Sequence, residues 1–194
     1  MKSTQNVFTI LFLSFALLGC SEDDNNNTEI NDDKNSLISL DEVSNGNGAY
    51  GIFGDVELAG SGLATHFYNS AMKHNDIQWS VHTVEIDDVE KGVVVTIDFY
   101  LLDAEATAFG GKLPEPGIYK VYEPGLSTPE DDYAKVNVYG DGLNSFFTTD
   151  EESQLELSVG NDGSWEASFS NVLDDYETEE VITLHCAFKA EPRD

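Results

Sequence analysis

The chain has 194 residues and carries 37 Asp and Glu against 9 Lys and Arg, a formal charge of −28 at neutral pH. Like charge at that density keeps a protein soluble and repels phosphate backbones. It argues against nucleic acid as a partner, and against an anionic lipid surface bound without assistance.

The first element in chain order is a leader. Lys2 precedes an apolar run from Val7 to Leu18, broken only by Thr9 and Ser14 and too short to span a bilayer comfortably, which is the pattern of a secretion signal. The run ends in Leu17-Leu18-Gly19-Cys20, which resembles the lipobox of bacterial lipoproteins. That resemblance implies cleavage before Cys20, a diacylglycerol on its thiol and an acyl chain on the new amine, the two signals that a stable membrane anchor requires. Residues 1–19 are then removed, and because Lys2 is their only charge the mature chain stands at −29. With Cys20 lipidated, Cys186 has no intramolecular partner, and the domain must be held by its core.

Residues 20–36 form the lipidated cysteine and an acidic tether, SEDDNNNTEINDDKNS after Cys20, with Ile30 as its only large apolar side chain. Such a segment cannot repay the entropy of ordering and is expected to be disordered. As a flexible coil it would span roughly 20–25 Å, enough to lift a domain off the headgroups. Ser21-Glu22-Asp23-Asp24 resembles the acidic export signal that sends lipoproteins of the Bacteroidota to the outer face of the outer membrane. The resemblance implies an outer-membrane address, lipid-anchored and exposed at the cell surface.

Residues 37–194 have the size of one domain with a single hydrophobic core. Leu37 to Val43 reads as a short helix or an edge segment. Tyr50, Ile52, Val56 and Leu58 then share a face at period two between the glycine-rich breaks Gly46-Asn47-Gly48 and Gly60-Ser61-Gly62, with an irregularity at Gly54. Leu63 to Met72 is ambiguous between strand and short helix, and Asn75-Asp76 turns the chain. A half-buried strand follows from Ile77 to Ile86, with Trp79 and Val81 alternating against Gln78, Ser80 and His82.

The strongest strand is next. Val93, Val95, Ile97, Phe99 and Leu101 line one face, and the run of β-branched residues disfavours helix. This strand is expected at the centre, with Trp79 and Val81 packing beside it in an antiparallel pair. Asp103 to Gly111 reads as a long loop or one short helix stopped by glycine. Leu113-Pro114-Glu115-Pro116-Gly117 forces a turn before a strand from Ile118 to Tyr122, and Pro124-Gly125 and Pro129 break the chain again. Further strands carry Ala134, Val136 and Val138, then Leu143 to Thr149 after Gly140-Asp141-Gly142, then Leu155, Leu157 and Val159. Asn161-Asp162-Gly163 supplies a hairpin turn into Trp165, Ala167 and Phe169, and Val181 to Phe188 closes the series.

About nine strands at ten-residue spacing, without alternating helices, predict an all-β antiparallel fold. A β-sandwich is the favoured form and a closed antiparallel barrel the alternative, because periodicity along a strand does not show whether the first and last strands meet. Leu113-Pro114, Gly117-Ile118-Tyr119 and Gly163-Ser164-Trp165, in this order, resemble small uncharacterised surface lipoproteins of the Bacteroidota. That resemblance covers residues 77–190 and implies a fold type and an address, with no active site.

No Gly-x-Ser-x-Gly elbow, His-Glu-x-x-His helix, phosphate loop or correctly spaced calcium loop occurs. His66, His74 and His82 are evenly spaced, but across a loop and two strands that spacing does not gather three rings on one ion, so they read as strand or surface residues. His185 and Cys186 are neighbours on a strand and point to opposite faces, which excludes a catalytic pair, and Cys186 reads as a small buried hydrophobe. Glu130-Asp131-Asp132 and the run Asp174-Asp175-Tyr176-Glu177-Thr178-Glu179-Glu180 could gather oxygen ligands or a carboxylate pair, although solvated loop charge is the simpler reading. Tyr119, Tyr133 and Tyr139 are candidates for stacking on sugar rings.

The expectation is therefore a non-enzymatic surface module without cofactor or resident metal, anchored to the membrane through Cys20, that binds a glycan, a peptide or a partner lipoprotein through loops at one end. A structural component of the cell envelope is the alternative, and a small hydrolase ranks third. The anchor is directly testable. Cys20→Ala should take up no label from a radioactive fatty acid and should leave the membrane fraction; undiminished labelling would overturn the lipobox assignment.

Overall fold

A computed structural model describes residues 37–193 apart from 75, 125–128, 130, 142, 150–151 and 176. Cys20, the acidic tether, Gly125, Glu130, Gly142 and Tyr176 lie outside the described residues. After a short 3-10 turn, Leu40–Glu42, the described residues form ten strands: β1 (Asn47–Gly54), β2 (Leu58–His74), β3 (Ile77–Asp88), β4 (Val93–Leu102), β5 (Gly117–Val121), β6 (Tyr133–Gly140), β7 (Leu143–Thr148), β8 (Ser153–Val159), β9 (Trp165–Asp174) and β10 (Val181–Pro192).

The fold is a closed β-barrel, the alternative to the sandwich. Nine strands make the ring in the order β1-β2-β3-β4-β6-β5-β8-β9-β10. It closes because β1 pairs antiparallel with β2 along one edge and with β10 along the other, Tyr50 standing between Gly60 and Cys186. Sandwich strands would have left free edges; here the first and last strands use each other's backbone groups. β7 lies beside the ring, pairing with β6 and with β9.

β4 pairs antiparallel with the strand of Trp79 and Val81 as its sequence predicts, although in a closed ring no strand is central. It pairs with β3 from Trp79↔Leu102 to Asp88↔Val93 and with β6 on its other side, and Val93, Val95, Ile97, Phe99 and Leu101 are all buried in the barrel interior. The interior is completed by Val84 and Ile86 of β3, Val136 and Val138 of β6, Phe146, and alternate residues of β9 and β10 including Phe169, Cys186 and Phe188. A smaller cluster of Ile38, Val43, Ala49 and Ala187 seats the start of the domain on the outside of β1 and β10.

Two local expectations are corrected. Tyr50 to Leu58 is two strands rather than one, since the chain reverses after Gly54, which adopts a φ of 123°. Gly60-Ser61-Gly62 is not a break but lies inside β2, and the ambiguous Leu63 to Met72 continues the same strand. These glycines permit close approach: a Cβ on Gly60 would sit 2.3 Å from an Asp88 carboxylate oxygen, and one on Gly62 would sit 2.3 Å from the Asp87 carbonyl oxygen. Gly60 thereby leaves room for the buried hydrogen bond from Tyr50 Oη to Asp88 Oδ2 at 2.9 Å.

Of the two readings of residues 103–111, the long loop is the one that forms. Asp103 Oδ1 accepts from Glu105 N at 3.0 Å and Asp103 Oδ2 from Lys112 N at 2.6 Å, so its carboxylate clamps a loop. At the loop's tip Thr107 and Gly110 form a tight turn.

Gly62→Ala should cost about 1–3 kcal/mol, because backbone and not a flexible side-chain end blocks the new methyl group. Gly110→Ala, which meets nothing within 4 Å, should be nearly neutral. Thermal melting of the two variants checks the contrast.

Candidate functional site

β3 ends at the Asp88 side of the barrel and begins at the other end, where Leu102, Trp165 and Gly117 also lie. Residues 103–116 run across that second end as a strap. They are fastened to inward-facing side chains of β2 and β3. Ser80 Oγ donates to Lys112 O at 2.9 Å, His82 Nε2–H donates to the same carbonyl at 2.9 Å, and Tyr68 Oη donates to Thr107 O at 2.5 Å. Gln78 Nε2 donates to Ala106 O. Tyr119 closes the far side, its hydroxyl accepting from Glu115 N at 3.0 Å and donating to Glu115 O at 2.9 Å.

Beneath the strap His66 and His82 share Trp165. The His66 ring stacks on the indole at 4.0 Å between centroids and 8° between planes, and the His82 ring stands 5.8 Å from it. His66 Nε2–H donates to Gly163 O at 2.8 Å, so backbone carbonyls fix the Nε2–H tautomer of both rings. Burial is the main cause holding both histidines below their ordinary pKa, opposed in each by the carbonyl contact, and for His82 the neighbouring His66 pushes the same way as burial. His74 lies at the exposed end of β2, away from this pair. Sequence reasoning missed the pairing because a regular β2–β3 hairpin would set Tyr68 opposite Thr83, and only the β-bulge between Tyr68 and Ser70 brings it opposite His82 with His66 as the diagonal neighbour.

Two clefts flank the strap. One, about 470 Å³, lies between Lys112, Glu115, Ile118, Tyr119 and the pair Asp131 and Asp132, and the other, about 460 Å³, lies between Asp103 and Lys73, Asp76 and Gln78. Leu102 lines both. The tip of the strap presents Phe109 with its side chain 98 % exposed, and Leu113 and Ile118 are exposed nearby. The turn beneath it is braced, with Phe109 N donating to Thr107 Oγ1 at 3.2 Å and Thr107 N donating to Gly110 O at 2.9 Å.

The carboxylates singled out in the sequence organise loops. Asp132 accepts from Leu102 N at 2.7 Å and pairs with Lys112 Nζ at 2.7 Å, tying the strap to the start of β6. Asp175 accepts from Glu177 N at 2.8 Å and from Thr178 Oγ1 at 3.0 Å, a local turn that helps Glu179 adopt a φ of 61°. Asp131 is exposed in the larger cleft. Among the described residues no three His, Cys, Asp or Glu side chains converge as a metal site. Of the three tyrosines, Tyr119 and Tyr133 are only 7 % and 3 % exposed, whereas Tyr139 is 41 % exposed. Tyr133 stacks on Tyr100 at 4.8 Å and meets Trp79 edge-on at 5.4 Å, filling a cluster on the outer wall. His185 and Cys186 do point to opposite faces. Cys186 is sealed in the core, where burial pushes its thiol pKa well up, and His185 meets Phe53 edge-on outside.

Compared with known proteins, the chain matches no family model, no curated protein and no solved structure.

The histidine pair sets a pH dependence. A histidine whose pKa is lower in the folded chain than in the unfolded one gives the unfolded state more protons in between, so its stabilisation is complete above about pH 6.5 and is lost as pH falls through the folded value. Each unit of lowering corresponds to about 1.4 kcal/mol. Asp98 on the outer wall acts oppositely, because burial raises its pKa and its contribution is lost as pH rises through that value. Melting temperature should therefore fall as the pH is lowered from 7 toward 5, and His82→Gln should flatten that slope. An unchanged slope would remove His82 as its source.

Proposed function

We propose that the chain is an outer-membrane lipoprotein, anchored through Cys20 and facing outward, whose barrel is a non-catalytic module for a glycan, a peptide or a partner lipoprotein. The observation that carries the binding role is Phe109. An aromatic side chain left in water forgoes about 1.5–3 kcal/mol of burial, and here the backbone turn beneath it is braced so that it stays presented. Rigid exposed aromatics supply much of the energy of protein interfaces. Leu113, Ile118 and the two clefts extend the same end.

A peptide or protein ligand suits this end best. Lys112 and Lys73 are paired with Asp132 and Asp76, so the net charge of the rim comes from residues such as Glu105, Glu115 and Asp131, and it complements a basic partner. The nucleophiles and bases nearby are occupied structurally: both interior histidines commit Nε2 to backbone carbonyls, and Ser80 commits its hydroxyl to Lys112 O. A role in envelope assembly is second, since ring closure removes the long sheet edge through which strands would add.

A photo-crosslinking amino acid placed at Phe109 on intact cells tests the reading. A discrete adduct at Phe109, absent when the same group replaces the exposed Val89 at the opposite end, is the expected result. No adduct, or the same adduct from both positions, would overturn it.

A further inference from the structure

A second surface lies on the barrel wall, away from the strap. On the outward faces of β3, β4 and β6, Thr83, Asp98 and Lys135 form one row, and Glu85, Thr96 and Asn137 form the next, continued by Phe147 on β7. Side chains join the rows. Asp98 Oδ1 accepts from Thr83 Oγ1 at 2.5 Å, Asp98 Oδ2 accepts from Asn137 Nδ2 at 3.3 Å, and Asn137 Nδ2 also donates to Thr96 Oγ1 at 3.0 Å. The β-bulge after Tyr68 turns Asn69 toward this face, where its amide donates to Thr83 Oγ1 at 2.9 Å.

Aromatic rings frame the network. Phe147 is 38 % exposed beside Asn137. Tyr139 stands two residues along β6 on the same outward face, in the next row with Val94 and Asp87, and is 41 % exposed. A partly buried Asp and Asn are thus bonded to each other on the outer wall between two exposed rings.

We propose that this wall is a binding site for a neutral glycan, with Asp98 and Asn137 bonding the hydroxyls of a pyranose and Tyr139 and Phe147 stacking against its apolar face. The chemistry is specific in three respects. A carboxylate only accepts, and an amide both donates and accepts, so side by side they match the alternating donors and acceptors of adjacent sugar hydroxyls. Each Asp98 oxygen takes one of the side-chain hydrogen bonds just described and has a second lone pair for the ligand. Charge excludes sulfated and uronate sugars: Glu85, Asp87 and Asp98 surround the site, while the basic groups close by are occupied, Lys135 by Glu123 at 2.7 Å and Arg193 by Glu85 at 3.1 Å. The site is independent of the strap end, and its success or failure says nothing about Phe109.

The test is affinity electrophoresis of the full-length protein in detergent, through native gels containing laminarin, mannan or xyloglucan, with alginate as the anionic polymer. Retardation by at least one neutral polymer and none by alginate is expected. Tyr139→Ala and Asn137→Ala should each weaken it at least tenfold, and Tyr139→Phe should retain most of it because the ring is kept. Melting curves near that of wild type would show that the variants are folded, and Tyr139 is exposed enough for its replacement to leave the fold intact. No retardation in any neutral polymer, preference for alginate, or full retention by Tyr139→Ala would overturn the proposal.

Discussion

The pairing of β1 with both β2 and β10 is the constraint on which the molecule depends. Without it, the sheet would end in two long edges carrying unpaired backbone donors and acceptors, and the row of large side chains on β4 would face water on its inner side. With it, one wall serves every strand, and a domain lacking disulfides among its described residues obtains a single continuous core. The tightness of that closure explains the glycines of β2, which stand where a neighbouring backbone or the Tyr50–Asp88 pair approaches.

Legibility in the sequence followed the physics of each segment. β9 alternates strictly and β4, β6 and β8 do so over most of their length, each buried on one face, and all four could be read from period two alone. β1 and β2 were misdivided because glycine carries two meanings: at Gly54 it turns the chain, whereas at Gly60 and Gly62 it admits a neighbour, and a single sequence does not separate these. Closure was equally hidden, since it depends on which strands meet across more than a hundred residues.

The candidate surfaces were legible in part. Tyr139 was identified as an exposed ring, but Tyr119 and Tyr133 carry the same alternating context and are buried, one by the strap and the other by an aromatic cluster on the wall. Asp98 and Asn137 gave no signal, because two polar residues 39 positions apart become neighbours only through the β4–β6 register. Phe109 gave no signal, because residues 103–111 read as either a long loop or a short helix and it is the Asp103 clamp that sets the loop.

The position of β7 gives the barrel a shape. Between β6 and β9 the wall divides: toward the Asp88 end the gap is bridged by β7 alone, and toward the strap end by β5 and β8. One more strand in the circumference means a larger bore, because diameter grows with strand number. The barrel is thus a tapered cup, and its narrow base can be stoppered by side chains such as Phe146. Across its wide mouth, above His66, His82 and Trp165, a length of main chain is laid as well. A segment recruited to cover a mouth is held from below and free above, which lets its outer sequence change without disturbing the vessel it seals.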